Sequence, residues 1–502
     1  MNGGKMSNKY EFIAPCHFGL EAVCKREIAD LGYEIVKVED GKVTFAGDMD
    51  ALVRANIFLR TTQRILLKVA EFKALTFEEL FQNVKKVPWE EYFPSDARFW
   101  VTKATSVKSK LFSPSDIQSI VKKAMVERMK EHYHINWFEE DGADYPVRVI
   151  IYKDIVTIGL DTSGESLHKR GYRRMVSKAP IEETLAAALI KLTPWNKSRI
   201  LVDPFCGSGT FPIEAAMMGA NIAPGMHREF QAQNWDNIVS PKLFARGFEE
   251  AESLVDTSVE MDIQGYDIDP QIVKAARENA KRAGVDGLIH FQQRPVHHLS
   301  HPKKYGFVIT NPPYGERISS SDLFGLYESI GNRLKHVFKG YDAWIISYHK
   351  ECFDKIGLKP SVKIDLMNGA LECEYRKYEI FDGRYKEFKE EGKNLDKREG
   401  QTRRTNLRGK APFDRKRTYD SDRRSDKTER FDRSGKPSFR RDSKPGKPIG
   451  KKTFDRPERF KPDGEKSERL HGEAAFRKFV TFKQPSIKPS DDNRKKDSDK
   501  PE

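Results

Sequence analysis

One rhythm dominates residues 179–381. Short apolar runs at 200–203, 263–267, 289–292, 307–310 and 343–347 alternate with helix-period segments at 181–192, 211–218, 270–283 and 322–337. Strands separated by helices lie parallel, with the crossover helices covering the sheet. The rhythm then changes. Runs at 362–367 and 371–380 are joined by Asn368-Gly369, a pair suited to the left-handed turn of an antiparallel hairpin. The segment therefore reads as α/β, a parallel sheet finished by an antiparallel hairpin. At 502 residues the chain has room for more than this one domain.

Three stretches fall at the carboxyl ends of the expected strands. Asp203-Pro204-Phe205-Cys206-Gly207-Ser208-Gly209-Thr210 joins the first strand to a helix. Its glycines let the backbone approach a ligand closely. It is neither the Gly-x-Gly-x-x-Gly of dinucleotide sites nor a P-loop. The second strand ends in Gly265-Tyr266-Asp267-Ile268-Asp269, where an acid can accept both hydroxyls of a ribose. Asp267 sits at the strand end and suits that task, while Asp269 suits the cap of the helix opening at Pro270. The fourth strand ends in Asn311-Pro312-Pro313-Tyr314. The Asn311 side-chain oxygen and the Pro312 carbonyl can each accept one N–H of an exocyclic amine. Tyr314 offers a ring face to a base, worth ~1–3 kcal/mol in stacking. Methyl transfer to the amine nitrogen is the reaction such a loop suits.

The flanking segments differ in kind. Residues 9–70 read as a small α/β unit and 73–162 as an α+β unit without an acid/base constellation. Lys103, Lys108, Lys110, Lys122 and Lys123 of the second unit are candidates for phosphate contact or for simple solvation. The connection at 163–178 is basic, and its Arg170, Arg173 and Arg174 suit either RNA phosphate or a domain joint. Beyond residue 384 apolar content collapses. Residues 385–502 hold 37 Lys+Arg against 23 Asp+Glu, leaving 52 of each sign before them, so the net +14 lies entirely in this tail. Such a segment cannot bury enough surface to order itself, and it suits a polyanionic partner. The expected division is 1–65, 66–162, a linker at 163–178, 179–384 and a disordered basic tail at 385–502.

Five scattered cysteines form no CxxC or Cys/His cluster, so neither a metal site nor a disulfide framework is expected. The N-terminus carries no apolar signal region and no run is long enough to span a membrane, which favours a cytoplasmic setting.

The ordered set Asp-Pro-Phe-Cys-Gly-Ser-Gly-Thr, Gly-Tyr-Asp-Ile-Asp and Asn-Pro-Pro-Tyr-Gly-Glu-Arg resembles class I S-adenosylmethionine-dependent methyltransferases acting on exocyclic amines. Residues 167–381, with Arg170-Gly171-Tyr172-Arg173, are similar to the bacterial RlmL/YpsC group of guanine-N2 RNA methyltransferases. The first 160 residues resemble that group's ferredoxin-like plus THUMP pair. The resemblance implies a Rossmann-like methyltransferase sheet preceded by this RNA-binding module. It also implies S-adenosylmethionine as cofactor, with Asp203, Phe205, Gly207 and Gly209 around its methionine part. Asp267 would hold the ribose, Ile268 would pack on the adenine, Asn311 would also border the cofactor, and Asn311, Pro312 and Tyr314 would hold the target guanine. Arg317 of the Gly315-Glu316-Arg317 extension suits phosphate or a surface ion pair. One departure stands out: 292–296, Gln-Gln-Arg-Pro-Val, lacks the carboxylate that many relatives place after strand three. The implied partner is RNA, 23S rRNA first and tRNA second. DNA adenine-N6 methylation and a non-enzymatic RNA-binding assembly role remain the alternatives.

Overall fold

The computed structural model describes residues 9–173, 180–315 and 319–381. The tail expected from residue 385 onward lies outside these residues, as do Arg174, Glu316 and Arg317.

The chain opens with β1 (Tyr10–Pro15), α1 (Glu21–Asp30), β2 (Glu34–Glu39), β3 (Lys42–Gly47), α2 (Met49–Phe58) and β4 (Leu66–Lys73). It continues with α3 (Phe77–Lys85), β5 (Arg98–Val107), α4 (Pro114–Tyr133), β6 (Asp144–Tyr152) and β7 (Ile155–Asp161). Caps fall where the sequence offers them: Asp48 accepts from Ala51 N, and Thr76 from Glu79 N. All seven strands form one sheet, in the order β2-β3-β1-β4-β7-β6-β5. β4 belongs to both halves. It pairs with β1 at Phe12↔Leu67 and with β7 along its whole length. A boundary at 65/66 therefore cuts a continuous sheet.

The second sheet is built from α5 (Glu183–Leu192), β8 (Leu201–Asp203), α6 (Thr210–Gly219), α7 (Pro241–Ser253), β9 (Ile263–Asp267), α8 (Pro270–Arg282), β10 (Ile289–Gln293), β11 (Phe307–Thr310), α9 (Ser320–His336), β12 (Asp342–Ser347), α10 (Lys350–Lys355), β13 (Val362–Asn368) and β14 (Leu371–Glu379). Its order is β10-β9-β8-β11-β12-β14-β13. The first five strands are parallel, β14 pairs antiparallel with β12, and β13 closes the edge antiparallel to β14. Strand order reverses between β8 and β11, which opens a crevice at their carboxyl ends.

The excursion between α6 and β9 joins the two sheets. On α7, Phe244, Gly247 and Ala251 are buried at helical spacing. Gly247 sits so close to α2 that a Cβ there would lie 2.9 Å from both Ile57 and Val53. Arg54 grips Glu250 in a two-pronged pair, Nη2 to Oε1 at 2.8 Å and Nε to Oε2 at 3.0 Å. Trp235 stacks on Tyr145 at 5.1 Å and donates to the Asp144 carbonyl at 2.7 Å. One apolar core consequently runs from Phe12 and Phe45 through Tyr145 to Trp235, Phe244 and Ala251.

The connection is part of this joint, so of the two alternatives for Arg170 and Arg173 the packing matches the domain joint and not RNA phosphate. Arg170 is only 4% exposed. It donates to the Arg60 carbonyl at 2.6 Å and the Leu167 carbonyl at 2.5 Å, and faces Glu214 at 3.4 Å. A guanidinium so buried and partnered is not available to phosphate. Arg173 pairs with Glu183 at 2.9 Å and donates to Thr210 Oγ1 at 2.7 Å, so it ties the connection to α5 and α6.

Candidate active site

β8 and β11 are adjacent parallel strands, so their loops meet at the crevice. Asp203 is buried at the end of β8. Its Oδ1 accepts from Thr310 Oγ1 at 2.6 Å and from Phe205 N at 3.1 Å. Burial pushes this carboxyl up to about 7, against the pull of the two hydrogen bonds. Asp203 thereby fastens the glycine turn to the strand that carries Asn311.

The turn is bound on its other side by β9. Gly207 N donates to Asp267 Oδ2 at 3.1 Å, and Asp269 N donates to Asp267 Oδ1 at 3.0 Å. Each of those oxygens keeps a further lone pair for a hydroxyl donor. Burial leads in raising the Asp267 carboxyl above its ordinary value. Asp269 caps α8, accepting from Gln271 N at 2.8 Å, as its place before Pro270 suggests. Gly209 has φ +91°, and a Cβ there would come within 3.1 Å of Ile213 and Phe291. It is needed for the close seating of α6 against β10 as well as for the turn itself. Phe205 is half-buried beside the core on the α9 face of the sheet.

Two residues stand out because polar or apolar surface is left uncovered. Ile268 is 68% exposed at the end of β9, an apolar face beside the Asp267 carboxylate. Asn311 Oδ1 is buried and accepts no hydrogen bond among the described residues. An acceptor withdrawn from water without a donor is costly, so it is a place for a ligand N–H. Where the sequence lacks an acid after the third strand, Gln293 instead donates from Nε2 to the Ile268 carbonyl at 3.0 Å. Its amide oxygen is left to accept from an amine.

Pro312 is buried, Pro313 exposed and Tyr314 half-buried. Three residues that the sequence pattern does not assign to the site hold or flank Tyr314. Tyr348 meets its ring edge-on at 5.0 Å, the His349 ring lies tilted against Tyr348 at 3.9 Å, and Asn368 Nδ2 donates to the Tyr314 hydroxyl at 3.4 Å. Burial raises the Tyr314 phenol well above its ordinary range, so it stays neutral. Tyr348 and His349 follow the carboxyl end of β12, and that position is the signal that would have found them. Among the described residues no three His, Cys, Asp or Glu side chains converge as a metal site, and no helix is long and apolar enough to cross a membrane. Lys103 and Lys108 lie on the surface of the N-terminal sheet, exposed, with no ion pair among the described residues.

The fold and site define a class I methyltransferase with an N-terminal ferredoxin-like and THUMP module. Residues 170–377 match the family described as an RMKL-like methyltransferase domain, 11–66 the RlmL ferredoxin-like domain and 74–161 the THUMP domain. YpsC of Bacillus subtilis (strain 168), named as a candidate RNA methyltransferase, is 42% identical over 375 residues, covering 74% of this chain and 96% of its own. The ribosomal RNA large subunit methyltransferase K/L of Psychromonas ingrahamii is 33% identical over 383 residues, 74% of this chain but only 50% of that longer protein. Among solved structures, SMU.472 complexed with SAH is 37% identical, with TM-score 0.71 over 76% of this chain and all of that one. A predicted N6-adenine-specific DNA methylase from Listeria monocytogenes is 42% identical, with TM-score 0.70 over 74% of this chain and 97% of that one. The chain belongs to the RlmL/YpsC-like family of THUMP-domain class I methyltransferases, and its cofactor is S-adenosylmethionine.

Proposed function

We propose that the protein methylates the exocyclic N2 amine of a guanine in RNA, in 23S rRNA before tRNA. The observation that carries this reading is the buried, unpartnered Asn311 Oδ1 at the crevice between β8 and β11. S-adenosylmethionine supplies a methyl group already activated on a sulfonium, so the protein's work is positioning. Asn311 Oδ1 and the Pro312 carbonyl accept the two amine hydrogens. That turns the nitrogen lone pair toward the methyl and stabilises positive charge as it develops. Tyr314, held by Asn368 and Tyr348, gives the base a fixed ring to lie on. Phe205, Gly207 and Gly209 line the methionine end, with Asp203 holding their turn in place. Asp267 takes the ribose hydroxyls, Ile268 covers the adenine, and Gln293 replaces the absent acid as acceptor for the adenine amine.

The RNA assignment draws on the THUMP module, on the names of the relatives, and on Lys103 and Lys108 as exposed phosphate contacts. Adenine N6 in DNA is the second reading, favoured by the name of the Listeria structure. The same loop would serve it, but the N-terminal module fits RNA. Nucleoside mass spectrometry of rRNA, tRNA and genomic DNA from a deletion strain decides between them. Loss of N2-methylguanine from rRNA is expected. Loss of N6-methyladenine from DNA instead, or no lost nucleoside, overturns the proposal.

A further inference from the structure

The end of the THUMP half where β5 stops carries a cluster that the catalytic reading does not use. Phe112 is 80% exposed and Val107 is 53% exposed. Around them Lys108 and Lys110, on the loop after β5, and Lys153, on the β6–β7 turn, are all exposed. None of the three pairs with a carboxylate among the described residues. Lys122 on the neighbouring helix differs: its ammonium is committed to Glu140 at 3.0 Å and to the Phe99 carbonyl.

The two loops are built as one piece. Lys110 N donates to Asp154 Oδ1 at 2.7 Å, Asp154 N to Ser109 Oγ at 3.0 Å, and Ser109 Oγ to the Val107 carbonyl at 2.9 Å. Lys153 N adds a bond to the same carbonyl at 3.2 Å. Lys108, Lys153 and Asp154 take left-handed backbone, with φ of 52°, 50° and 64°. That conformation is costly for residues with a Cβ, and here three of them share one small tip. Leu111 is buried at 4% and anchors the loop, while its neighbour Phe112 stands in solvent. The one carboxylate of the turn, on Asp154, is spent on the frame.

We propose that this tip grips an unpaired nucleotide of an RNA strand, with Phe112 stacking on the base and Lys108, Lys110 and Lys153 meeting the flanking phosphates. The chemistry selects that partner. Lys153 Nζ lies over the Tyr152 ring at 5.0 Å, which leaves the exposed Phe112 ring as the open π-face among ammonium groups that no carboxylate neutralises. A base in a duplex has both faces covered, so only an unpaired one can lie on Phe112. The inference rests on RNA being the substrate class, and it is independent of which base is methylated.

The test uses the full chain and two probes, a single-stranded oligoadenylate and an RNA duplex, titrated by fluorescence anisotropy across salt. Phe112→Ala is expected to weaken oligoadenylate binding roughly tenfold and leave the duplex unchanged, and Phe112→Trp to restore it. Replacing the three lysines by alanine is expected to lower the salt slope on the single strand by about 2. Oligoadenylate binding that is unchanged in Phe112→Ala, or that falls equally on both probes, overturns the proposal. A tip that docks a protein instead would give the first of these. The oligoadenylate contains no guanine, so failure of the guanine-N2 reading would leave this result standing, and the reverse.

Discussion

The two seven-stranded sheets of this protein are built on opposite plans. The catalytic sheet is mainly parallel, and the carboxyl ends of β8, β9 and β11 bring three loops to one crevice. Two of these loops are tied across strands, Asp203 to Thr310 and Gly207 to Asp267, and the Asn311 Oδ1 beside them is left without a donor among the described residues. The N-terminal sheet is mainly antiparallel, with a parallel pair only at its β5 edge. Its strands run out at both ends of the sheet, and the loops after β5 and β6 meet in a single exposed tip. The loops of the site therefore gather where the strand order reverses, while the other sheet presents open surface, and the excursion carrying α7 packs against the helix α2 of that other sheet.

The comparison is tested hardest at Asn311. Asn311→Ala removes an acceptor used only at the reacting amine. Methyl transfer is expected to fall by roughly 10²–10³-fold. Cofactor affinity should be unchanged by calorimetry. A variant that loses cofactor binding in parallel with activity would place Asn311 in the cofactor frame instead. Asp267→Ala is the mirror experiment. Losing charge-assisted bonds worth ~1.5–3 kcal/mol should raise the cofactor Kd by one to two orders of magnitude. Substrate RNA affinity, read by filter binding, should stay the same.

A third prediction concerns pH. The Asp203 carboxyl is raised to about 7 in the folded chain, against about 3.8 unfolded. Folding therefore favours its protonated form. That contribution is present below pH 4 and is lost as pH rises to about 7. Asp203→Asn cannot ionise but keeps an oxygen for Thr310 and Phe205. Its Tm relative to the parent is expected to improve steadily from pH 4 to 7 and then level off. A parallel pair of curves would mean that Asp203 is ionised throughout.

Legibility in the sequence followed the same division. The strands of the catalytic sheet, the Asp269 cap and the loops at Asp203, Asp267 and Asn311 could be read because local pattern determines them: apolar runs, a cap before proline, glycines in a turn. The joint could not. Arg170 and Arg173 sit in a basic stretch that suits phosphate and a domain joint alike, and only the packing of Glu214 and Glu183 against them separates the two. Asn368 was legible as a hairpin turn, yet its contact with Tyr314 depends on β14 pairing beside β12, a long-range event with no local signature. No strand separates α7 from α6, so the spacing of Phe244, Gly247 and Ala251 falls outside the strand–helix alternation that marks the other elements.

The smallest expected effects lie at that excursion, and they ask whether the two sheets move as one. Gly247→Leu puts a branched side chain where even a Cβ would lie 2.9 Å from Ile57 and Val53. Overpacking of this kind costs ~1–3 kcal/mol. Hydrogen exchange should quicken in α2 and α7 together, while the crevice at Asn311 keeps its protection. Arg54→Ala acts on the same seam more gently. The half-exposed Arg54–Glu250 pair is partly screened by solvent, so its removal should cost about 1 kcal/mol or less. Tm should drop by a few degrees at most and recover little with added salt. If methyl transfer to long RNA falls in Arg54→Ala while turnover of a short guanine-containing oligonucleotide is kept, the seam transmits position from one sheet to the other. If both fall together, the seam serves stability alone.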